Sequence, residues 1–285
     1  MLTQIECLPC LLNQIVKTIT MLGVDNKIRK ASMKKSIQLM GKTDLDKSPP
    51  EISGLLQNQL CRELEIDDPY LEIKETYNQL LLQKEKQFRN LIQTADSPLE
   101  TALKLAVGAN IIDFGTPYAC TEELVEATLE NALDLNLNGS KLGKVANTIE
   151  NAEKILYIGD NAGEIVIDKL LIETIDPAKI IFCVRGGNIL NDITRKDAVT
   201  CGIDKICPII DTNSRIPGVA LNLTSPEFKN HFETADLIIA KGQGNFETLS
   251  QVTKPILYLL KAKCKAVSEL LEVPLKTPIC KLVNC

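Results

Sequence analysis

The chain has one histidine, His231, and no tryptophan. A single imidazole excludes metal centres built on several histidines and weakens any histidine-based catalytic triad. His231 follows Phe228, Lys229 and Asn230 in a polar stretch, where it reads as a surface or capping residue. Long apolar runs are also missing: none approaches the roughly 20 residues that a membrane helix needs. Met1 to Glu6 carries no basic segment followed by an apolar one, so no targeting segment is expected there. There is no surplus of positive charge. Lys and Arg number 32 against 37 Asp and Glu, a net charge of −5. That argues against a general nucleic-acid binder, while leaving room for a local basic pocket. No internal repeat or low-complexity tract is present.

Cysteine, by contrast, is plentiful, with 10 residues. Their scattered spacing in so long a chain does not form a disulfide framework. A reducing, cytoplasmic setting is expected, with the cysteines as thiols or metal ligands. At 285 residues and 45% apolar content the chain can bury a sizeable core, as one large domain or two smaller ones.

Residues 1 to about 150 read almost entirely as helix. Cys7-Leu8-Pro9-Cys10 opens an amphipathic run with Leu11, Leu12, Ile15, Ile19 and Leu22 at helical spacing, ended by Gly23. Further helices are expected over 26–40, 51–64, 70–95, from Pro98 onward, and from Thr121 toward Leu133. Pro49, Pro50 and Asp67-Asp68-Pro69 mark the breaks. From Lys154 the pattern changes. Short apolar runs at 155–158, 180–184, 206–210, 237–240 and 256–260 alternate with helical or polar segments, which implies a parallel sheet with right-handed crossovers. The expected fold class is α/β. A helical N-terminal part, 1–145, packs on a C-terminal three-layer α/β/α sandwich with a mainly parallel sheet, 146–285, joined near 137–148.

The stretch from Lys154 to Glu164 reads as buried strand, tight loop and helix. Asp160 and Asn161 then fall at the carboxyl end of a strand, where open α/β sheets place their ligands. A carboxylate beside a carboxamide offers the hard oxygen donors that suit a divalent cation. The same residues also make ordinary turn and cap chemistry. Two other strand ends bear related groups. One is Arg185-Gly186-Gly187-Asn188 with Asn191-Asp192, and the other is Lys241-Gly242-Gln243-Gly244-Asn245. Asp192 adds an oxygen ligand, Arg185 and Lys241 add cations, and the glycine-rich loops add backbone N–H groups for an anion. Carboxylates for a cation together with cations for an anion describe a site for a phosphorylated small molecule.

These three segments in combination resemble the damage-control phosphatase family, the domain-of-unknown-function family 89, whose eukaryotic branch was described as acidic-residue methyltransferase-like. Cys7-x-x-Cys10 and Ala109-Asn110-Ile111-Ile112-Asp113 resemble its prokaryotic, mostly archaeal, branch. The resemblance covers nearly the whole chain. It departs at Asn188, where family members often have proline. It implies a metal-dependent phosphatase acting on small phosphorylated metabolites such as sugar phosphates. Asp160, Asn161 and Asp192 are the implied metal ligands for Mg²⁺, Mn²⁺, Co²⁺ or Ni²⁺, and Lys241 is the implied phosphate-side lysine. Asn110 and Asp113 are expected to reach the same cleft from the helical part. Arg185, Gly186, Gly187, Asn191, Gly242 and Asn245 are expected on the substrate side, with the Gly186 and Gly187 amides holding phosphoryl oxygens.

Two alternatives belong to other classes. An acidic residue and glycines after a first strand also occur in S-adenosylmethionine-dependent carboxyl methyltransferases, though Gly159-Asp160-Asn161-Ala162-Gly163 lacks a dense Gly-x-Gly pattern. A non-enzymatic metal- or metabolite-binding protein would use the Cys7/Cys10 pair as its working part. That pair suits structural thiols, a metal or a redox couple. Zinc would need further ligands from afar, such as Cys61, Cys120 or Cys264, while Cys280 and Cys285 read as incidental.

Overall fold

A computed structural model describes residues 1–111 and 122–285. The expected Asp113 and Cys120 lie outside the described residues. In chain order the elements are helices α1 (Cys7–Met21), α2 (Asn26–Met40), α3 (Pro49–Leu64), α4 (Leu71–Gln93), α5 (Pro98–Ile111) and α6 (Glu122–Ala132). Strand β1 (Asn138–Gly139) and helix α7 (Leu142–Asn151) lead into the sheet. There follow β2 (Ile155–Ile158), α8 (Glu164–Thr174), β3 (Ile180–Val184), α9 (Arg195–Thr200), β4 (Ile209–Asp211) and α10 (Pro226–Thr234). The chain continues as β5 (Leu237–Lys241), α11 (Gly242–Leu249), β6 (Ile256–Lys261), α12 (Lys265–Leu271) and β7 (Pro278–Val283).

Helix starts follow their local chemistry. The Asp25 side chain accepts from the Lys27 and Ile28 amides, and Ser48 with Glu51 forms a capping box ahead of α3. Each fills N–H groups that a helix start leaves unpaired. The sheet has 7 strands in the order β1-β7-β6-β5-β2-β3-β4. The block from β6 to β4 is parallel throughout, while β7 runs antiparallel to β6. The strand β2 has β3 on one side and β5 on the other, so the connections reverse direction there. That switch point is where doubly wound sheets open a crevice.

Alternate strand residues face opposite layers. Tyr157, Phe182, Ile239 and Leu257 point into a core shared with α4, α5, α7 and α8. Leu156, Cys183, Ile238 and Tyr258 point into one shared with α10, α11 and α12. Burial on both faces explains why these strands read as continuous apolar runs. The first three helices close a separate core of Leu11, Ile15, Ile19, Met40, Ile52, Leu56 and Leu60. They are joined to the sandwich where α3 packs on α11.

The fold is the expected α/β class, with two local corrections. The strand expected over 206–210 is β4 at Ile209–Asp211, because Ile206 still closes a short 3-10 turn over Ile203–Lys205. The strand β7 was not expected. It places Cys280 fully inside the core. The stretch expected as the junction, 137–148, holds β1 and the start of α7.

Candidate active site

Asp160 leaves β2 at the switch point, and residues 191–193 run alongside it. The Ala162 amide donates to the Asn191 carbonyl at 2.9 Å, and the Ile193 amide donates to the Asp160 carbonyl at 2.9 Å. This short ladder pairs Asn161 with Asp192. Two segments 30 residues apart in sequence are thereby zipped together, and both carboxylates reach one crevice.

Arg185, at the end of β3, sits between them. Its Nε donates to Asp192 Oδ2 at 2.6 Å, and its Nη2 lies 3.6 Å from Asp160 Oδ1. Its Nη1 and Nη2 are buried without a hydrogen-bond acceptor. On the other side, Asp160 Oδ2 accepts from Asn110 Nδ2 at 3.0 Å and from Asn161 Nδ2 at 2.8 Å. Asn110 also donates to Glu164, and Asn191 Nδ2 donates to Asn161 Oδ1 at 3.0 Å.

Behind this layer lies a buried ionic network. Lys241 Nζ donates to Glu164 Oε1 and Asp168 Oδ1, both at 2.5 Å, and to the Ala106 carbonyl at 3.0 Å. The Tyr157 hydroxyl donates to Asp168 at 2.7 Å. Four carboxylates, of Asp160, Glu164, Asp168 and Asp192, therefore share two buried cations, Arg185 and Lys241. Burial, with Asp192 and Glu164 nearby, pushes the Asp160 carboxyl up to about 7, against the opposing pull of Arg185 and Lys263. Burial also raises Asp192. A site with surplus negative charge and oxygen donors lining a cavity suits a hard divalent cation. The donors able to hold one are Asp160, Asn161 and Asp192. No cluster of three His, Cys, Asp or Glu side chains suited to a metal is found among the described residues. A site here therefore depends on the carboxamide as third ligand.

The crevice opens into a cavity of about 410 Å³. Asp160, Asn161, Asn191 and Asp192 form its floor, α1 supplies Cys7, Cys10 and Gln14, and α3 supplies Pro50 and Ser53. Gln243, Glu247, Lys263, Cys264 and Lys265 complete the opposite wall. A larger depression of about 580 Å³ beside Cys61 and Arg215 contains none of the strand-end residues. Cys61 therefore does not join the Cys7/Cys10 pair, whereas Cys264 does line the same cavity.

Several expected site residues do other work. Lys241 is fully buried and its ammonium is consumed by the two acids of α8, so it does not present charge to the cleft. The Gly186 amide is taken by the Ser214 carbonyl and the Thr212 hydroxyl, so it is not free for a phosphoryl oxygen. Gly187 lies against the stem of Arg215. Asn245 is buried and ties the Gly159 and Lys241 carbonyls together at 3.2 and 2.7 Å. Gly242 passes directly beneath Asp160: a Cβ there would stand 1.8 Å from Oδ2. Asn188, the departure from proline, accepts from Lys74 and donates to Asp67, fastening its loop to the segment around α4.

Sequence reasoning missed two groups. Glu164 and Asp168 sit four residues apart on the mainly apolar first two turns of α8, a pattern that signals a buried cationic partner. Lys263 and Lys265 follow β6, whose parallel pairing with β5 puts its end at the same edge as the other three loops. The rule that singled out those loops applies equally to this one.

Comparison with known proteins gives the family. The model of the damage-control phosphatase ARMT1-like domain matches residues 3–278. The chain is 38% identical over 291 residues to a damage-control phosphatase of Pyrococcus horikoshii, covering 98% of each chain. It is 36% identical over 276 residues to an uncharacterized protein of Methanocaldococcus jannaschii, covering 93% of this chain and 90% of that one. A damage-control phosphatase of Archaeoglobus fulgidus is 29% identical over 287 residues, with 98% of each covered. The crystal structure of a DUF89 family protein from Pyrococcus horikoshii superposes with a TM-score of 0.90 at 36% identity, covering 99% of both chains. The chain belongs to the damage-control phosphatase family.

Proposed function

We propose that the chain is a metal-dependent phosphatase that hydrolyses small phosphorylated metabolites such as sugar phosphates, in a cytoplasmic setting. The observation that carries this reading is the meeting of Asp160 and Asp192 at one crevice beside Asn161, with a carboxylate surplus that two buried cations leave unbalanced. The relatives named as damage-control phosphatases support it. So does the cavity, which is polar at its floor and large enough for a small metabolite.

A divalent cation held by Asp160, Asn161 and Asp192, with Mg²⁺, Mn²⁺, Co²⁺ or Ni²⁺ as candidates, would supply a Lewis acid at the phosphoryl oxygens. The residues themselves orient and hold. Arg185 fixes the Asp192 carboxylate and restrains Asp160, while Asn110 and Asn161 fill the lone pairs of Asp160 Oδ2. Asp160 Oδ2 thus accepts two hydrogen bonds, while Oδ1 has only the 3.6 Å approach of Arg185 Nη2 and is the oxygen left for a cation. In hydrolysis, water adds to phosphorus, the ester P–O bond breaks, and the leaving oxygen takes a proton to become an alcohol. Methyl transfer has no comparable support, because carboxylates and carboxamides crowd the loop after β2.

The test is phosphate release from p-nitrophenyl phosphate and a sugar-phosphate panel, crossed with the four ions. The expected outcome is turnover that needs added metal and is lost in Asp160→Ala. Turnover retained by that variant would remove Asp160 from the site. No turnover by the wild type on any combination, or tight S-adenosylmethionine binding by calorimetry, would overturn the phosphatase reading.

A further inference from the structure

Asp160 and Asp192 carry like charge on two separate loops, and their repulsion opposes the spacing at which one cation can bridge them. Within the sandwich two backbone bonds, from the Ala162 and Ile193 amides, hold the loops together, with Arg185 between the acids. A further tie comes from outside the sandwich. Asn78 is buried on the inner face of α4. Its Oδ1 accepts from the Gly163 amide at 2.7 Å, and its Nδ2 donates to Asp197 Oδ1 at 3.0 Å. Gly163 closes the loop after β2, three residues beyond Asp160. Asp197 holds the loop after β3: its Oδ2 accepts from the Thr194 amide at 2.9 Å and from the Thr194 hydroxyl at 2.7 Å, two residues beyond Asp192. One carboxamide therefore grips both loops, with one atom on each. Lys74, one turn earlier on α4 and also buried, steadies the same acid. Its Nζ lies 3.5 Å from Asp197 Oδ2 and 2.7 Å from Asp68 Oδ2, and donates to Asn188 Oδ1 at 3.3 Å. The residue type at 78 is demanding, because the two partners need an acceptor and a donor on one short stem.

We infer that Asn78 is a positioning residue of this site: from α4 it clamps the loops after β2 and β3 together and so fixes the separation of Asp160 and Asp192. It does not line the cavity, so it acts on the crevice only through those loops. A carboxamide that merely filled the Gly163 amide would need no second partner on the other loop. This inference rests on the metal-site reading for what the clamp serves, so the test separates the two.

Asn78→Ala, Asp197→Ala and the two combined are compared with the wild type. Leu81→Ala is the control for lost stability, since Leu81 is buried in the main core on the same helix and makes no polar tie. Three readouts are used: calorimetric binding of Mn²⁺ to the metal-free protein, amide exchange over 160–163 and 191–194, and the denaturant midpoint. Groups that orient metal ligands are worth about 10- to 100-fold in metal affinity. Asn78→Ala is expected to raise the Mn²⁺ Kd by that factor and to speed exchange over both loops, while β2 and β3 stay protected. Leu81→Ala is expected to lower the midpoint yet keep the wild-type Kd. The combined variant is expected to bind Mn²⁺ about as weakly as Asp197→Ala alone, because both changes break one tie. A wild-type Kd in Asn78→Ala, an equal loss in Leu81→Ala, or additive losses in the combined variant would each overturn the clamp while the metal site stands. If the wild type binds Mn²⁺ but hydrolyses no phosphoester, the same Kd values judge the clamp and the phosphatase reading falls. If the wild type binds no Mn²⁺, the metal reading falls and exchange decides: unchanged exchange over the two loops in Asn78→Ala overturns the clamp.

Discussion

Gly242 is the residue on which the crevice closes most tightly. It sits at φ +77°, a conformation that side chains rarely adopt, and the space where its Cβ would be is filled by the Asp160 carboxylate. Gly242→Ala is therefore expected to push Asp160 out of place. A displacement on the ångström scale costs on the order of 100-fold in catalysis. The check is metal-dependent phosphate release, with circular dichroism confirming that the fold persists. The sequence made this glycine visible as part of a loop, but assigned it to the substrate. Only the approach of β5 to β2 reveals that it faces the carboxylate.

At the scale of elements, the three-helix unit α1–α3 has its own core and meets the rest chiefly through α3 on α11. It also forms one wall of the cavity, through Cys7, Cys10, Gln14, Pro50 and Ser53. Leu56 is fully buried at its centre. Leu56→Ala removes that side chain and leaves a void, at a cost of about 2–5 kcal/mol. Because the cores are separate, the loss should be local. Amide exchange is expected to speed up across α1–α3 while β2, β5 and β6 keep their protection. Uniform acceleration throughout the chain would mean that the cores unfold as one. These helices were legible from their 3.6-residue spacing and capping signals, and the buried strands from their apolar runs. β7 escaped because Pro278 and Lys281 interrupt it and leave no continuous apolar run. β1 is only 2 residues long and has no pattern to read.

At the scale of the molecule, Lys241 joins layers that are far apart in sequence. It stands on β5, pairs with Glu164 and Asp168 of α8, and reaches the Ala106 carbonyl of α5. Burial pulls its pKa down, and the Asp168 and Glu164 charges more than offset that, so it stays charged. Lys241→Met would leave two buried acids facing one another without a counter-charge, costing about 3–5 kcal/mol. The expected result is a lower denaturant midpoint with an unchanged m-value. A variant that is normally stable but has a raised KM would instead place Lys241 on the substrate side.

The sequence by itself determined the α/β class, the positions of four of the strands, and the three loops after β2, β3 and β5 as the place to look. It could do so because burial on both faces and helical spacing are written in nearest-neighbour patterns. What it could not determine is which polar groups at those loops face solvent and which face each other. Lys241 and Lys263 are alike as residue types, one ending and the other just beyond a buried parallel strand. One is buried against two acids of α8 and the other is free at the cavity wall. That difference depends on Glu164 and Asp168, which lie more than 70 residues away along the chain and become neighbours of Lys241 only when α8 packs onto the sheet. Charge pairing in a buried layer is a property of the packed layers, so it was decided by the tertiary structure.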